Sequence, residues 1–154
     1  MRKRPNWNDY FLGIAFVASQ RSQDSETQHG CVIVNKHNHI VSIGYNGFPK
    51  GMKDENLPSK RPEKYPWCLH SERNAIANSE IRPDGCTAYV TGECCNDCLM
   101  AMWQSGITRV VQADRHGTKL ENDETRKIKE RFLKETGMSV VTVKYNLEWI
   151  KEIL

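Results

Sequence analysis

The sequence predicts an α/β fold: one sheet of about five strands with helices on both faces. Two patterns predict it. A β-rich hairpin follows an opening amphipathic helix, and from residue 70 onward helical and strand patterns alternate, the order that builds a sheet covered by its own crossovers. The chain has 154 residues, so a single domain over 1–154 is expected on the usual prior of roughly 100 to 200 residues per domain. Its 38% hydrophobic and 27% charged residues suit a globular core and argue against disorder.

Trp7, Phe11, Ile14, Ala15 and Ala18 recur at three- and four-residue steps and predict a helix over about 8–21. Residues 31–34 and 40–43 are β-rich, and Lys36-His-Asn-His between them supplies the turn of a hairpin that Gly44-Tyr-Asn-Gly closes. Residues 46–69 hold four prolines and two glycines without any period, and a loop of this length inside a domain is usually functional. A short helix over 70–79, a strand over 87–91, a helix over 96–105 and a strand over 107–112 are expected next. A polar helix over 122–136 follows, with Asp123/Lys127 and Glu130/Lys134 pairs at i,i+4, then a strand over 139–144 and a helical turn around 147–153.

The net charge is only +3, from 22 Lys plus Arg against 19 Asp plus Glu, too balanced for a protein that coats nucleic acid but open to a small anionic ligand. No apolar run approaches the roughly 20 residues that span a bilayer, and Met1-Arg-Lys-Arg-Pro leads into Trp7-Asn-Asp rather than a signal-peptide core. Neither a membrane nor a nucleic-acid partner is expected. Six cysteines in this setting point to a reducing, cytoplasmic compartment, where thiols serve as metal ligands or buried apolar groups.

Their spacing separates the two uses. His70-Ser-Glu72 opens one predicted helix, and Cys95-Asn-Asp-Cys98 opens the next. A Cys-x-x-Cys pair alone could be a redox motif, but that reading leaves the His-x-Glu unexplained. Two thiolates and an imidazole match what zinc binds, and three protein ligands leave the fourth tetrahedral position to water, as in catalytic sites. Helix starts suit this chemistry, because unpaired amides and the positive dipole end stabilise thiolates. Glu72 lies two residues from His70 in the same first turn and is expected to move protons; its alternative role is an N-terminal charge that favours the helix dipole. Adjacent cysteines point in different directions in most backbones, so Cys94 is expected to stay off the ion. Cys31, Cys68 and Cys86 read as inert buried thiols.

His-x-Glu followed by Cys-x-x-Cys is the signature of zinc nucleobase deaminases. With Arg21-Ser-Gln-Asp, Gly30-Cys-Val-Ile-Val, Gly44-Tyr-Asn-Gly-Phe-Pro-Lys-Gly, Lys64-Tyr-Pro, His70-Ser-Glu-Arg-Asn-Ala-Ile and Ser105-Gly-Ile, residues 10–115 resemble the deoxycytidylate deaminase family. The resemblance implies a three-layer α/β/α sandwich of the cytidine-deaminase type. It also implies hydrolysis of dCMP to dUMP and ammonia, feeding thymidylate synthesis, with Zn²⁺ on His70, Cys95 and Cys98 and Glu72 as general acid and base.

By the same resemblance, Asn46 would hold the sugar, Ser71 would line the substrate pocket, and Arg21, Ser22 and Arg115 are candidates for the phosphate. His116 is an alternative to Arg115 for a tyrosine the family often carries there. Asn46, Gly47, Phe48, Pro49, Lys50 and Gly51 would form a regulatory segment that takes dCTP as activator and dTTP as inhibitor, with Mg²⁺. Nearby, Lys50, Lys53, Lys60, Arg61 and Lys64 outnumber Asp54, Glu55 and Glu63. A homohexamer is the expected assembly. Cys94, Ser71 and His29 depart from the family, which usually has Pro, Ala and an aliphatic residue there. Two other readings stay open: a deaminase of another small heterocycle, and a structural zinc module for protein interaction that would not need Glu72. A deaminase of single-stranded nucleic acid would want aromatic platforms and a basic groove, and aromatics are only 8% of the chain.

Overall fold

A computed structural model describes residues 1–115 and 121–153. The elements are α1 (Trp7–Ser19), β1 (Gly30–Val34), β2 (Ile40–Tyr45), α2 (Ser71–Asn78), β3 (Thr87–Val90), α3 (Asn96–Ser105), β4 (Arg109–Ala113), α4 (Asp123–Thr136), β5 (Ser139–Val143) and α5 (Glu148–Lys151). The strands form one sheet in the order β2-β1-β3-β4-β5. β1 runs antiparallel to both β2 and β3, while β3, β4 and β5 run parallel, joined by crossovers that contain α3 and α4. The mixed five-stranded sheet agrees with the sequence.

Each face of the sheet has its own core. On one side Ile33, Ala88, Val90 and Val110 meet Ala75 of α2 and Leu99 and Met102 of α3, with Phe132 and Leu133 of α4 packed alongside. On the other, Val32, Val34, Tyr89 and Val111 meet Phe11, Leu12 and Ala15 of α1. Helices therefore cover both faces, which makes the three-layer sandwich. β1 sits between two strands and is buried at all five residues, so its sequence is a continuous apolar run rather than an alternation.

Local chemistry sets the element ends. α1 begins earlier than residue 8 because the Asn6 side chain accepts the Asp9 N–H at 2.8 Å. On α4 the ion pairs differ from those the spacing suggests: Arg126 reaches Asp123 at 2.8 Å and Glu130 at 3.8 Å, and Arg131 reaches Glu135 at 2.8 Å. The planar guanidinium fork holds carboxylates better than the ammonium of Lys127 or Lys134. No helix among the described residues is long and apolar enough to cross a membrane.

The long segment between β2 and α2 is clamped at its ends, where Gly47 N–H donates to Leu69 O at 3.1 Å and Leu69 N–H to Gly47 O at 2.8 Å. It contains two 3₁₀ turns, at Asp54–Asn56 and Tyr65–Trp67, that the sequence does not announce. Beyond the clamp, α2 lies directly on β2. A Cβ at Gly44 would stand 2.4 Å from Ser71 O and 2.3 Å from Ala75 N, so only glycine lets the helix that carries His70 and Glu72 approach this closely. Gly44→Ala should therefore destabilise by about 3 kcal/mol, the upper end for overpacking against backbone. Denaturant unfolding checks it, and a variant as stable as the parent would contradict the packing described.

Candidate metal centre and active site

Two helix N-termini build the site. His70 occupies the N-cap position of α2 but makes no side-chain cap bond, which leaves its imidazole to other partners. Cys95 is the N-cap of α3, and its sulfur accepts the Cys98 N–H at 3.4 Å. The His70 Nδ1 lies 3.5 Å from Cys95 Sγ and 3.4 Å from Cys98 Sγ, and the three ligand atoms all lie within 4.8 Å of one another. Tetrahedral zinc with its usual bond lengths has an N···S edge of about 3.6 Å, so the spacing fits the ion. Cys98 is buried, Cys95 half-buried and His70 exposed, so the cluster opens on one side.

The electrostatics favour a cation here. The hydrogen bond from the Cys98 thiol holds Cys95 far below the ordinary thiol range, with His70 adding to it, and the same contact pushes Cys98 up. The hydrogen bond to Cys95 raises His70 against the opposing effect of burial. The cluster thus holds protons that a divalent cation would displace on binding. Cys94 is outside the ligand group: it is buried, and its N–H donates to Gln112 Oε1 at 3.1 Å. Burial, and after it the Glu72 carboxylate, push its thiol well above the ordinary range.

Glu72 is 5% exposed and forms, with His70, Ser71 and Cys95, one wall of a cavity of about 220 Å³. Asp24, His29, Asn46, Lys64 and Tyr65 contribute other parts of the lining. Asn46 is committed to protein at both ends of its amide, accepting His29 N–H at 2.8 Å and donating to Thr27 O at 2.9 Å. One amide hydrogen and one lone pair are left over. His29 Nδ1 sits 3.1 Å from Thr91 Oγ1.

Lys64 is the side chain that sequence reasoning placed wrongly. It is 4% exposed rather than a free basic group, and it meets Asp24 at 2.7 Å and Glu26 at 2.8 Å. Burial would raise Asp24, but the Lys64 ammonium and two backbone N–H groups outweigh it and hold the carboxyl below its ordinary value. Burial likewise would lower Lys64, and its two carboxylate partners hold it above. Lys64 and Asp24 also line a second cavity, of about 260 Å³, with Phe48, Asp54 and Glu55. Only the Lys64-Tyr-Pro and Arg21-Ser-Gln-Asp runs hinted at this pair, and neither run says that residues 40 apart meet.

The remaining candidates lie elsewhere. Arg21 is exposed past the end of α1, Ser22 Oγ accepts the Asp24 N–H at 3.3 Å, and neither lines the 220 Å³ cavity. Arg115 lies over the Phe16 ring at 5.5 Å and donates to Gln28 O at 2.7 Å, which braces the residue before His29. His116 is outside the described residues. In the segment 46–51, Phe48 faces the second cavity, Lys50 is exposed, and Met52 N–H bonds Pro49 O at 3.1 Å. The φ of +89° at Gly51 serves that turn. Arg61, though exposed, is drawn toward Glu26 and Thr27, whereas Lys50, Lys53 and Lys60 are exposed cations of the segment.

An α/β/α sandwich with two cysteines, an imidazole and a buried carboxylate at paired helix starts offers three ligands that could hold a divalent cation with one side left open. The family model described as "Cytidine and deoxycytidylate deaminase zinc-binding region" matches residues 5–114, more than half of the chain, and the chain belongs to that family. The Homo sapiens protein named deoxycytidylate deaminase is 43% identical over 112 residues, covering 68% of this chain and 63% of its own. The chain thus spans less than two thirds of that relative's length. The protein of the same name from Mycobacterium phage D29 is 37% identical over 123 residues, 70% of this chain and 94% of its own. A solved dCMP deaminase from the cyanophage S-TIM5, in complex with dCMP and dUMP, shares the fold with a TM-score of 0.67 at 23% identity, covering 92% of this chain and all of that one.

The Lys64 cluster makes a pH-dependent contribution to stability. Carboxyls held low in the folded chain stabilise it above their unfolded values and lose that contribution as pH falls through their folded values. Lysine raised by the same contacts stabilises below its unfolded value and loses the contribution as pH rises through its folded one. Lys64→Met should therefore be clearly less stable than the parent at pH 7, where Asp24 is left buried and unpaired, and the gap should close as pH falls through the carboxylate range. Urea unfolding at both ends of that range checks it; a gap independent of pH would contradict the pairing.

Proposed function

We propose that the chain is a zinc-dependent deoxycytidylate deaminase that hydrolyses dCMP to dUMP and ammonia. The observation that carries this is that Glu72 lines one cavity together with His70 and Cys95, the two members of the His70/Cys95/Cys98 cluster that reach it. A structural zinc module would not need a carboxylate buried there, and a redox Cys-x-x-Cys would not need His70.

Zinc bound by the three ligands supplies Lewis acidity and lowers the pKa of the water that reacts. Glu72 would take the proton from that water as the water oxygen bonds to C4, deliver it to N3 of cytosine, and help carry the second water proton to the ammonia that departs as the bond from C4 to nitrogen breaks. The cavity wall sets the ring edge against the carboxylate, and the spare amide hydrogen of Asn46 is available to the sugar. For the phosphate, the lining offers His29, while Lys64 is taken up by Asp24 and Glu26, and Arg21, Ser22 and Arg115 do not line the cavity. The match to relatives named deoxycytidylate deaminase supports a cytosine nucleotide over another heterocycle.

Control by dCTP and dTTP, with Mg²⁺, belongs to the same proposal. Its support is that segment 46–51 adjoins both cavities, with Asn46 on the first and Phe48 on the second, while Asp24, Lys64 and Cys68 line both. Asp54 and Glu55 beside the second cavity are oxygen donors of the kind Mg²⁺ takes. A homohexamer, a single deaminase domain and a cytoplasmic setting complete the proposal, the last in keeping with six free cysteines.

Ammonia release from dCMP, deoxycytidine, dCTP and single-stranded DNA tests the reading. The zinc-loaded protein should turn over dCMP with a kcat/KM roughly ten- to a hundredfold above that for deoxycytidine, the range of one charge-assisted phosphate contact. dCTP should raise that turnover and dTTP suppress it. Glu72→Gln should keep one zinc per chain and lose on the order of 10²- to 10⁴-fold in kcat. No turnover of any cytosine nucleotide by the zinc-loaded chain would refute the substrate, and loss of zinc from Glu72→Gln would refute the role of that carboxylate.

A further inference from the structure

Ser71 has a partner that the substrate-pocket expectation did not include. Its side chain is fully buried, and its hydroxyl donates to Glu72 Oε2 at 3.0 Å. The hydroxyl hangs from the first residue of α2, and that turn is locked in place: the Ser71 carbonyl lies against Gly44 so closely that a Cβ there would be 2.4 Å away. The donor is therefore fixed to the sheet and not to a mobile loop.

The carboxylate meets a second fixed group. Cys94 lies near Glu72, whose charge adds to burial in pushing its thiol up, and Cys94 itself is anchored by the bond from its N–H to Gln112 Oε1. Gln112 Nε2 in turn donates to Thr142 Oγ1 at 3.0 Å, which ties the chain of contacts to β5. The side-chain hydrogen bond to the carboxylate is therefore the one from Ser71 on α2, with the buried Cys94 beside it.

A carboxylate that accepts a proton from one atom and passes it to another must keep each within hydrogen-bond reach, and rotation about its last bond spoils both distances at once. We propose that Ser71 is a positioning residue, whose hydroxyl fixes the carboxylate plane of Glu72 so that it meets the substrate in a single orientation. The role given to the carboxylate rests on the deaminase reading above; the brace itself does not. A buried hydroxyl also needs an acceptor for its own sake, so the contact alone does not separate a brace from a merely satisfied serine.

The experiment pairs crystal structures of the zinc-loaded parent and Ser71→Ala with steady-state kinetics on dCMP. Ser71→Ala should keep one zinc per chain and a cooperative folded state with a melting midpoint lowered by several degrees, show the Glu72 carboxylate in more than one orientation, and lose roughly tenfold in kcat at unchanged KM. A single parental orientation of Glu72 in the variant overturns the proposal. So does an unchanged kcat, a loss carried by KM, or a loss of zinc or of folded protein, each of which gives Ser71 no role or a structural one. A parent that does not turn over dCMP refutes the deaminase reading instead, and the orientation of Glu72 in the two crystals still decides whether Ser71 braces it.

Discussion

The site depends on two helix N-termini being brought face to face. α2 carries His70 and Glu72 and lies on β2 through the gap left at Gly44, while α3 carries Cys95 and Cys98 and follows directly from β3. Because β1 lies between β2 and β3, the sheet order fixes the distance between the two helix starts before any side chain is chosen. The 3.4 and 3.5 Å approaches of His70 to the two sulfurs follow from that placement.

Concentrating this chemistry at helix starts has an electrostatic reason. The first turn of each helix presents unpaired N–H groups and the positive end of the peptide dipoles, which lowers the cost of holding two thiolates and a carboxylate within one small volume. The Cys98 N–H already spends itself on Cys95 in this way. Farther along the cavity the sign is balanced differently, with the Lys64 ammonium between Asp24 and Glu26. Buried pairs of this kind gain little net stability but punish the loss of either partner, so they fix geometry more than they add free energy. Here the geometry fixed is that of the loop 46–69, which Lys64 and Arg61 tether to residues 24–27.

The sequence carries the parts of this account that rest on local periodicity. Strand and helix order, the apolar run of β1 and the helix-start positions of His70 and Cys95 are legible because each is written within about ten residues. What was not legible is long-range. Nothing near Lys64 shows that it folds back on Asp24, and a count of basic residues in the loop does not show that Lys64 and Arg61 are paired with residues 24–27. Ser71 does line the cavity, but its hydroxyl's contact with Glu72 depends on a rotamer and not on spacing. Arg115 read as a phosphate ligand, but Phe16 and the Gln28 carbonyl, from distant parts of the chain, take it up.

The central claim is that two sulfurs and one imidazole hold the ion, with Cys94 excluded and the fourth position free for a light atom. X-ray absorption at the zinc edge of the metal-loaded chain tests it most directly. Two sulfur ligands at about 2.3 Å and two nitrogen or oxygen ligands at about 2.0 to 2.1 Å are the expected shell. A shell with three sulfurs would bring Cys94 into a closed site and contradict the account.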